Sequence, residues 1–431
     1  MFRAWSRLAQ PRDHFLISAR KPTKPHWVHT ARAAQISALS ASVLPLPPDM
    51  ILNKQAFLLQ IPCKRQARTH SFRCFSATCK RWDAKGPFRI LFCGSDEFSV
   101  ASLKAVHKAK DVWSSIDVVV PAEREIGRGG KHAHHEKYIP ALRLYAEQHN
   151  LPISIIPPTG LKTWSPPEPF TSSNLNSSHV LLTASFGHII PLRLLKLFPP
   201  IQRLNVHPSL LPRWRGAAPV QWTIANGDEE TGVTVQTLVR YALGVDAGDI
   251  LARAEGIKVP HDARYEIFLP SLAEAGGNLL VDVLRKIKNG TVTITSQDER
   301  YITLAPKVTH ETSRIHWGDH TAELIDRLHR GFAHQYPVWT SFLDTTAQIL
   351  SLHPIHPSSL PKALYQPETV RSGTAILYKQ GKSRRLFVAC ARNSWIEVQE
   401  IKMAGKKALG IKEWWNGLPK NVRESREVVF Q

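Results

Sequence analysis

The sequence predicts an open, mostly parallel α/β sheet followed by a small, basic β-barrel. Three observations carry that expectation. Between residues 88 and 289, short β-branched runs alternate with stretches of helical period, the pattern of strands joined by crossover helices. Residues 371–420 hold 11 Lys and Arg against three acids, on strand-like runs such as Arg385-Leu386-Phe387-Val388-Ala389. At 431 residues the chain is also long enough for two or three domains.

The first 86 residues stand apart from both. They carry 15 Lys and Arg against three acids (Asp13, Asp49 and Asp83), so +12 of the chain's formal +21 lies in a fifth of its length. Rich in Arg, Ser and Ala and without a sustained apolar period, they have the composition of an organelle transit peptide. The competing reading is a basic arm that stays attached and touches nucleic acid. Arg73-Cys74-Phe75-Ser76 resembles a mitochondrial processing site, and Met50 offers a second translation start. The expected location is the mitochondrial matrix. No run reaches the ~18 apolar residues a membrane helix needs, since Pro45, Pro47 and Pro48 break the nearest one, so no membrane insertion is expected. Five cysteines without paired spacing exclude a disulfide scaffold and a Cys-based zinc site.

The elements then follow in order. Arg89 to Gly94 reads as a strand ending in glycine, and Phe98, Leu103 and Val106 fall near helical spacing after it. Residues 116–120 form a second strand, 138–147 a helix and 179–184 a third strand. Residues 204–206 and 232–238 supply further strands, with a helix over 217–226 between them. Residues 262–289 read as a long helix that Pro270 bends or splits. The expected boundaries are a transit segment at 1–86, a catalytic domain at 87–295, a linker at 296–309 and a basic domain at 310–425.

In an α/β sheet of this kind ligands bind beyond the carboxyl ends of the strands. The positions to inspect are therefore Gly94-Ser95-Asp96, Ser185-Phe186-Gly187-His188 and Asn205-Val206-His207. None carries a phosphate-loop or dinucleotide glycine pattern. Asn205 and His207 alternate on one extended segment, so their side chains leave the same face. An amide and an imidazole side by side can stabilise a forming oxyanion, and the imidazole can pass a proton. Asp246, in the turn Gly244-Val245-Asp246-Ala247-Gly248-Asp249, offers a carboxylate to orient His207. Taken singly, each also reads as ordinary strand-end or turn chemistry.

The neighbourhood Leu204-Asn205-Val206-His207-Pro208-Ser209-Leu210-Leu211-Pro212-Arg213-Trp214-Arg215-Gly216-Ala217-Ala218-Pro219 resembles the signature of the methionyl-tRNA formyltransferase family. The Asn-x-His-x-Ser-Leu-Leu-Pro part is shared by formyltransferases more widely, and the Arg-Trp-Arg-Gly-Ala-Ala-Pro continuation is more particular. Likeness extends over nearly the whole chain from Phe88. The resemblance implies a Rossmann-like formyltransferase domain followed by an OB-like barrel. It implies transfer of a formyl group from 10-formyltetrahydrofolate, the co-substrate, to methionine on initiator tRNA, without a metal. Asn205, His207 and Asp246 match the family's catalytic triad. The spacing from His207 to Asp246 is about three residues longer than the resemblance implies, and a bulge in the strand near 238–243 is expected to absorb it.

Folate is expected in an apolar cleft made by Ser185, Phe186, Gly187, Ile189 and Pro191 together with Ser209, Leu210, Leu211 and Pro212. Gly94 reads as turn chemistry, and His188 as either a cleft residue or a solvent-facing loop histidine. For the methionine-charged initiator tRNA, the expected contacts are Arg128 and Lys131 in a flexible basic loop, Arg213 and Arg215, and Lys406 and Lys407 in the basic domain. The histidines His132, His134 and His135 suit a mobile polar loop better than a metal site. Trp414 and Trp415 are expected to anchor a helix in the core. A monomer is expected. The open alternatives are another folate-dependent formyltransferase acting on a small substrate, a 10-formyltetrahydrofolate hydrolase, and a catalytically inactive RNA-binding protein.

Overall fold

The computed structural model describes residues 86–126, 136–172, 175–364 and 370–431. Residues 1–85 of the proposed transit segment, Arg128 and Lys131, and His132, His134 and His135 lie outside these residues.

Seven strands build the first sheet: β1 (Phe88–Gly94), β2 (Trp113–Pro121), β3 (Ile153–Ile156), β4 (His179–Ala184), β5 (Arg203–His207), β6 (Glu230–Thr237) and β7 (Ile250–Lys258). Their order is β7-β6-β5-β4-β1-β2-β3. The pairs from β5 to β3 are parallel, whereas β6 runs antiparallel to both β5 and β7. The sheet is therefore mixed at one edge. Phe88, Ile90, Phe92, Val118, Val180, Leu182 and Leu204 fill its core, as the near-continuous apolar runs of a sheet covered on both faces require.

Helix α1 (Glu97–Lys108) starts where Asp96 accepts a hydrogen bond from Ser99 N–H at 3.2 Å. Helix α2 (Ala141–Gln148) precedes β3, and α3 (Pro219–Asn226) follows the signature block. Helix α4 (Tyr265–Lys288) runs unbroken for 24 residues, with Pro270 inside it. Pro270 lies in the second turn, where its missing N–H leaves the Glu266 carbonyl without a helical partner, yet the helix is not split into two pieces. By length and composition alone α4 could cross a membrane, with a mean hydropathy of 1.4. It is instead a core helix: Phe268, Leu272, Leu280, Val283 and Leu284 are buried against the sheet.

The second sheet is antiparallel: β8 (Trp339–Phe342), β9 (Thr345–Ile355), β10 (Thr374–Gln380), β11 (Ser383–Ala389), β12 (Trp395–Met403), β13 (Ala408–Gly410) and β14 (Glu427–Val429). The order β8-β9-β12-β11-β10-β14, with β13 paired to β12, nearly closes on itself. Reciprocal backbone bonds between Ser341 and Gln431, at 3.0 and 2.9 Å, draw the two edges together. Trp414 and Trp415, on α6 (Ile411–Asn416), are both 3% exposed and pack inside this barrel with Phe342 and Phe430.

A further helix, α5 (Ala322–Phe332), docks the barrel onto α3. Trp222 meets Phe332 edge-on at 5.2 Å, and Arg327 donates to the Ala225 carbonyl at 3.2 Å. Arg330, itself buried, reaches the Ala263 carbonyl just before α4 at 2.8 Å. The barrel thus braces the two helices that flank the site.

Candidate active site

Strand register gathers the three inspected strand ends. Gly94 pairs with Ala184, and Ala184 with Val206, so the residues that follow emerge along one rim. Gly94 has no turn-type backbone; it is there because a Cβ would lie 2.5 Å from Ser99 Cβ and 2.8 Å from the Ala184 carbonyl. Close packing of α1 on the sheet is the reason for that glycine, which corrects the turn reading.

A cavity of about 450 Å³ opens at this rim. Asn205, His207 and Asp246 all face it, with Asp96, Ser185, Phe186, Gly187, His188 and Ile189. Thr183 Oγ1 donates to Asn205 Oδ1 at 2.7 Å, which fixes the amide so that Nδ2 points to Asp246 Oδ1, 3.3 Å away. His207 is 4% exposed. Its Nε2 lies 2.9 Å from the Trp214 carbonyl, an acceptor, and its Nδ1 lies 3.6 Å from Asp246 Oδ2. Both neighbours are acceptors, so whichever ring nitrogen carries hydrogen has an acceptor in front of it. The longer Nδ1 contact is the one an incoming oxygen can share.

Asp246 is held by groups that the sequence did not single out. Gln236 Nε2 donates to Oδ1 at 2.8 Å and Gly216 N–H to Oδ2 at 3.0 Å. Gln297 Nε2 reaches the Asp246 and Gly248 carbonyls, both at 2.7 Å, and Arg215 Nε fixes Gln297 at 2.8 Å. Gln236 sits directly across from Asn205 in the β5–β6 register. A lone amide in a β-branched strand was the available signal. Ser185, Trp214 and Asp246 all have positive φ (45°, 59° and 51°), and such strain gathers where surrounding contacts over-determine the backbone.

The extra residues before Asp246 do not bulge the strand. Strand β6 ends at Thr237, and residues 238–244 form an exposed loop with a short turn at Tyr241–Leu243. The added length is taken up by this loop, and Asp246 lies beside Asn205 and His207. Leu238, Val239, Tyr241 and Val245 from this loop line the cavity.

The wall expected of Ser209, Leu210, Leu211 and Pro212 is a second correction. Ser209 and Leu211 are 0% and 1% exposed and sit behind the rim. Ser209 Oγ donates to the Arg213 carbonyl at 2.6 Å, Leu211 N–H to Thr234 Oγ1 at 3.1 Å, and Arg253 to the Leu211 carbonyl at 2.7 Å. These bonds turn the segment onto β6 and β7, so it supports the site from behind. Pro191 likewise stands back, starting the short helix Leu192–Leu195. Ile189, by contrast, is 61% exposed at the cavity mouth. His188 is exposed beside Phe186, with ring centroids 5.3 Å apart.

Arg213 pairs with Asp228 at 2.9 Å, and Asp228 also accepts from Trp214 Nε1 at 2.7 Å. Arg215 is half-buried, and Lys406 and Lys407 are exposed between β12 and β13.

An amide donor, an imidazole and a clamped carboxylate in one cavity define an acyl-transfer enzyme built on an open α/β sheet. The family model for formyl transferase matches residues 88–284, and that for the formyl transferase C-terminal domain matches residues 307–419. The chain belongs to the formyl transferase family. It is 30% identical over 339 residues to the mitochondrial methionyl-tRNA formyltransferase of Bos taurus, covering 77% of this chain and 78% of that protein. The methionyl-tRNA formyltransferase of Acidobacterium capsulatum is 32% identical over 330 residues, covering 76% and 96%. That of Enterococcus faecalis is 31% identical over 343 residues, covering 79% and 99%.

Proposed function

We propose that the protein transfers the formyl group of 10-formyltetrahydrofolate to the α-amino group of methionine esterified to initiator tRNA, in mitochondria. The observation that carries this is the convergence of Asn205, His207 and Asp246 in one cavity of about 450 Å³, within the range of ligand sites. Attack of the amine on the formyl carbon places negative charge on the formyl oxygen. Asn205 Nδ2 and the His207 ring donate to that oxygen, and removing such a donor typically costs about 10²–10³ in rate. Asp246, clamped by Gln236 and Gly216, holds His207 and relays the second amine proton to the departing folate nitrogen. Ser185, Phe186 and Ile189 on one side and Leu238 and Val245 on the other would hold the folate.

The test mixes the purified protein with 10-formyltetrahydrofolate and methionine-charged initiator or elongator tRNA. Formyl-methionyl-tRNA should form on the initiator, and Asn205→Ala and His207→Ala should each slow it by about 10²–10³. Tetrahydrofolate release without tRNA would instead mark a hydrolase, and tRNA binding without turnover an inactive binder.

Location rests on the basic, acid-poor residues 1–86 and on mitochondrial proteins among the relatives. A reporter fused to residues 1–86 should enter mitochondria; a cytosolic reporter would remove that reading. We propose that a single chain is the acting unit. A stable dimer in sedimentation would overturn this.

A further inference from the structure

The cavity is anionic in a strongly cationic protein. Among the described residues, those lining it include Asp96 and Asp246 but no Lys or Arg, although the chain carries a formal +21. Asp246 is committed to Asn205, His207, Gln236 and Gly216 N–H. Asp96 stands on the other side of the rim, two strand positions away by the Gly94–Ala184–Val206 register, or roughly 10 Å between backbones. Asp96 and the Asn205–His207 pair thus line one cavity from different sides.

From this geometry we infer that Asp96 is the group that receives the α-ammonium of the aminoacyl substrate and takes its proton before the nitrogen attacks. The inference rests on the formyl-transfer reading above. In the first step the substrate N–H bond breaks, its electron pair stays on nitrogen and the proton moves to an Asp96 oxygen. The nitrogen then bonds to the formyl carbon, the bond from that carbon to the folate nitrogen breaks, and the second amine proton goes to that nitrogen. The products are the formamide, tetrahydrofolate and one proton, which Asp96 returns to solvent. Groups that face Asp96 are Glu97 on α1, Tyr138 on the 136–138 strand, Tyr265 on α4 and the Ser185 side chain. The two tyrosines are raised above their ordinary range by burial and carry no charge near neutrality. Burial likewise pushes the Asp96 carboxyl up to about 6, which suits a proton acceptor at neutral pH.

The test uses the full chain, with Asp96→Asn and Asp96→Ser, both of which keep a side chain able to cap α1. Formylation rates at saturating folate are compared from pH 6.5 to 9. An amine of pKa about 7.7 is neutral in roughly one molecule in seventeen at pH 6.5 and almost wholly neutral at pH 9. Both variants should therefore run at least tenfold slower than the parent at pH 6.5 and within about twofold at pH 9. A loss of equal size at every pH would mean Asp96 is structural, and parent-like rates at pH 6.5 would also overturn the inference. Failure of the parent itself to form formyl-methionyl-tRNA would sink the underlying reading instead.

Discussion

Asp96 costs the fold stability wherever it is ionised. Burial holds its carboxyl at about 6, against about 3.9 in an unfolded chain, so the folded state binds the proton more tightly. The penalty is absent below pH 4, grows as pH rises and is complete above pH 6. Asp96→Asn removes it while keeping a competent cap for α1, so at pH 7.5 the variant should be more stable by about 1–3 kcal/mol. Thermal melts at pH 7.5 and pH 4 would check this. An equal shift at both would show that the carboxylate's charge has no part in it. A residue that is worse for the fold and faces the cavity is the kind a functional site keeps. At this scale the sequence disclosed Asn205 and His207 by their alternation on one strand. Gln236, Thr183 and Gln297 stayed hidden, because their value lies in contacts with residues up to 82 positions away.

The α/β elements were legible where the apolar pattern was continuous, as in β1, β4 and α4. Strands β3 and β7 were not. Ile153–Ile156 is a four-residue edge strand, and Ile250–Lys258 carries Arg253 and Glu255 on the opposite, half-solvated edge. Edge strands pair on one side only, so their sequences need not be apolar throughout. Helix α4 shows what composition alone misses: its apolar stripe faces α1 and the sheet across two glycines. A Cβ on Gly277 would lie 2.9 Å from Ala105 Cβ and 3.0 Å from the Ala101 carbonyl, so the two helices touch backbone to backbone. Gly277→Val should force them apart and lose about 1–3 kcal/mol by overpacking, with part of the effect recovered in Gly277→Ala. Chemical denaturation of the three proteins measures it. Because α1 begins at Asp96 and α4 at Tyr265, the same change should also disturb the cavity rim.

At the scale of the molecule, charge is sorted by place. Among the described residues, the cavity is lined by Asp96, Asp246, two histidines and uncharged groups, with no Lys or Arg. A polyanionic substrate with a cationic reactive end suits that arrangement: phosphates are gripped outside and the amine is drawn within. The two sets of proposed tRNA contacts then differ in kind. Arg213 is tied to Asp228, which also holds Trp214, whose carbonyl receives the His207 ring. Lys406 and Lys407 are exposed between β12 and β13. Lys406→Glu with Lys407→Glu should weaken tRNA binding and flatten its dependence on log salt by about 1.4, two contacts at roughly 0.7 each, with kcat at saturating tRNA unchanged. Arg213→Ala should lower kcat more than affinity, because it loosens the support of His207. Filter binding across a salt series, beside initial rates, separates the two. If Arg213→Ala changed only the salt slope, Arg213 would be a phosphate contact and the Asp228 pair incidental. If the lysine variant changed only kcat, the barrel would act on the site and not on the RNA.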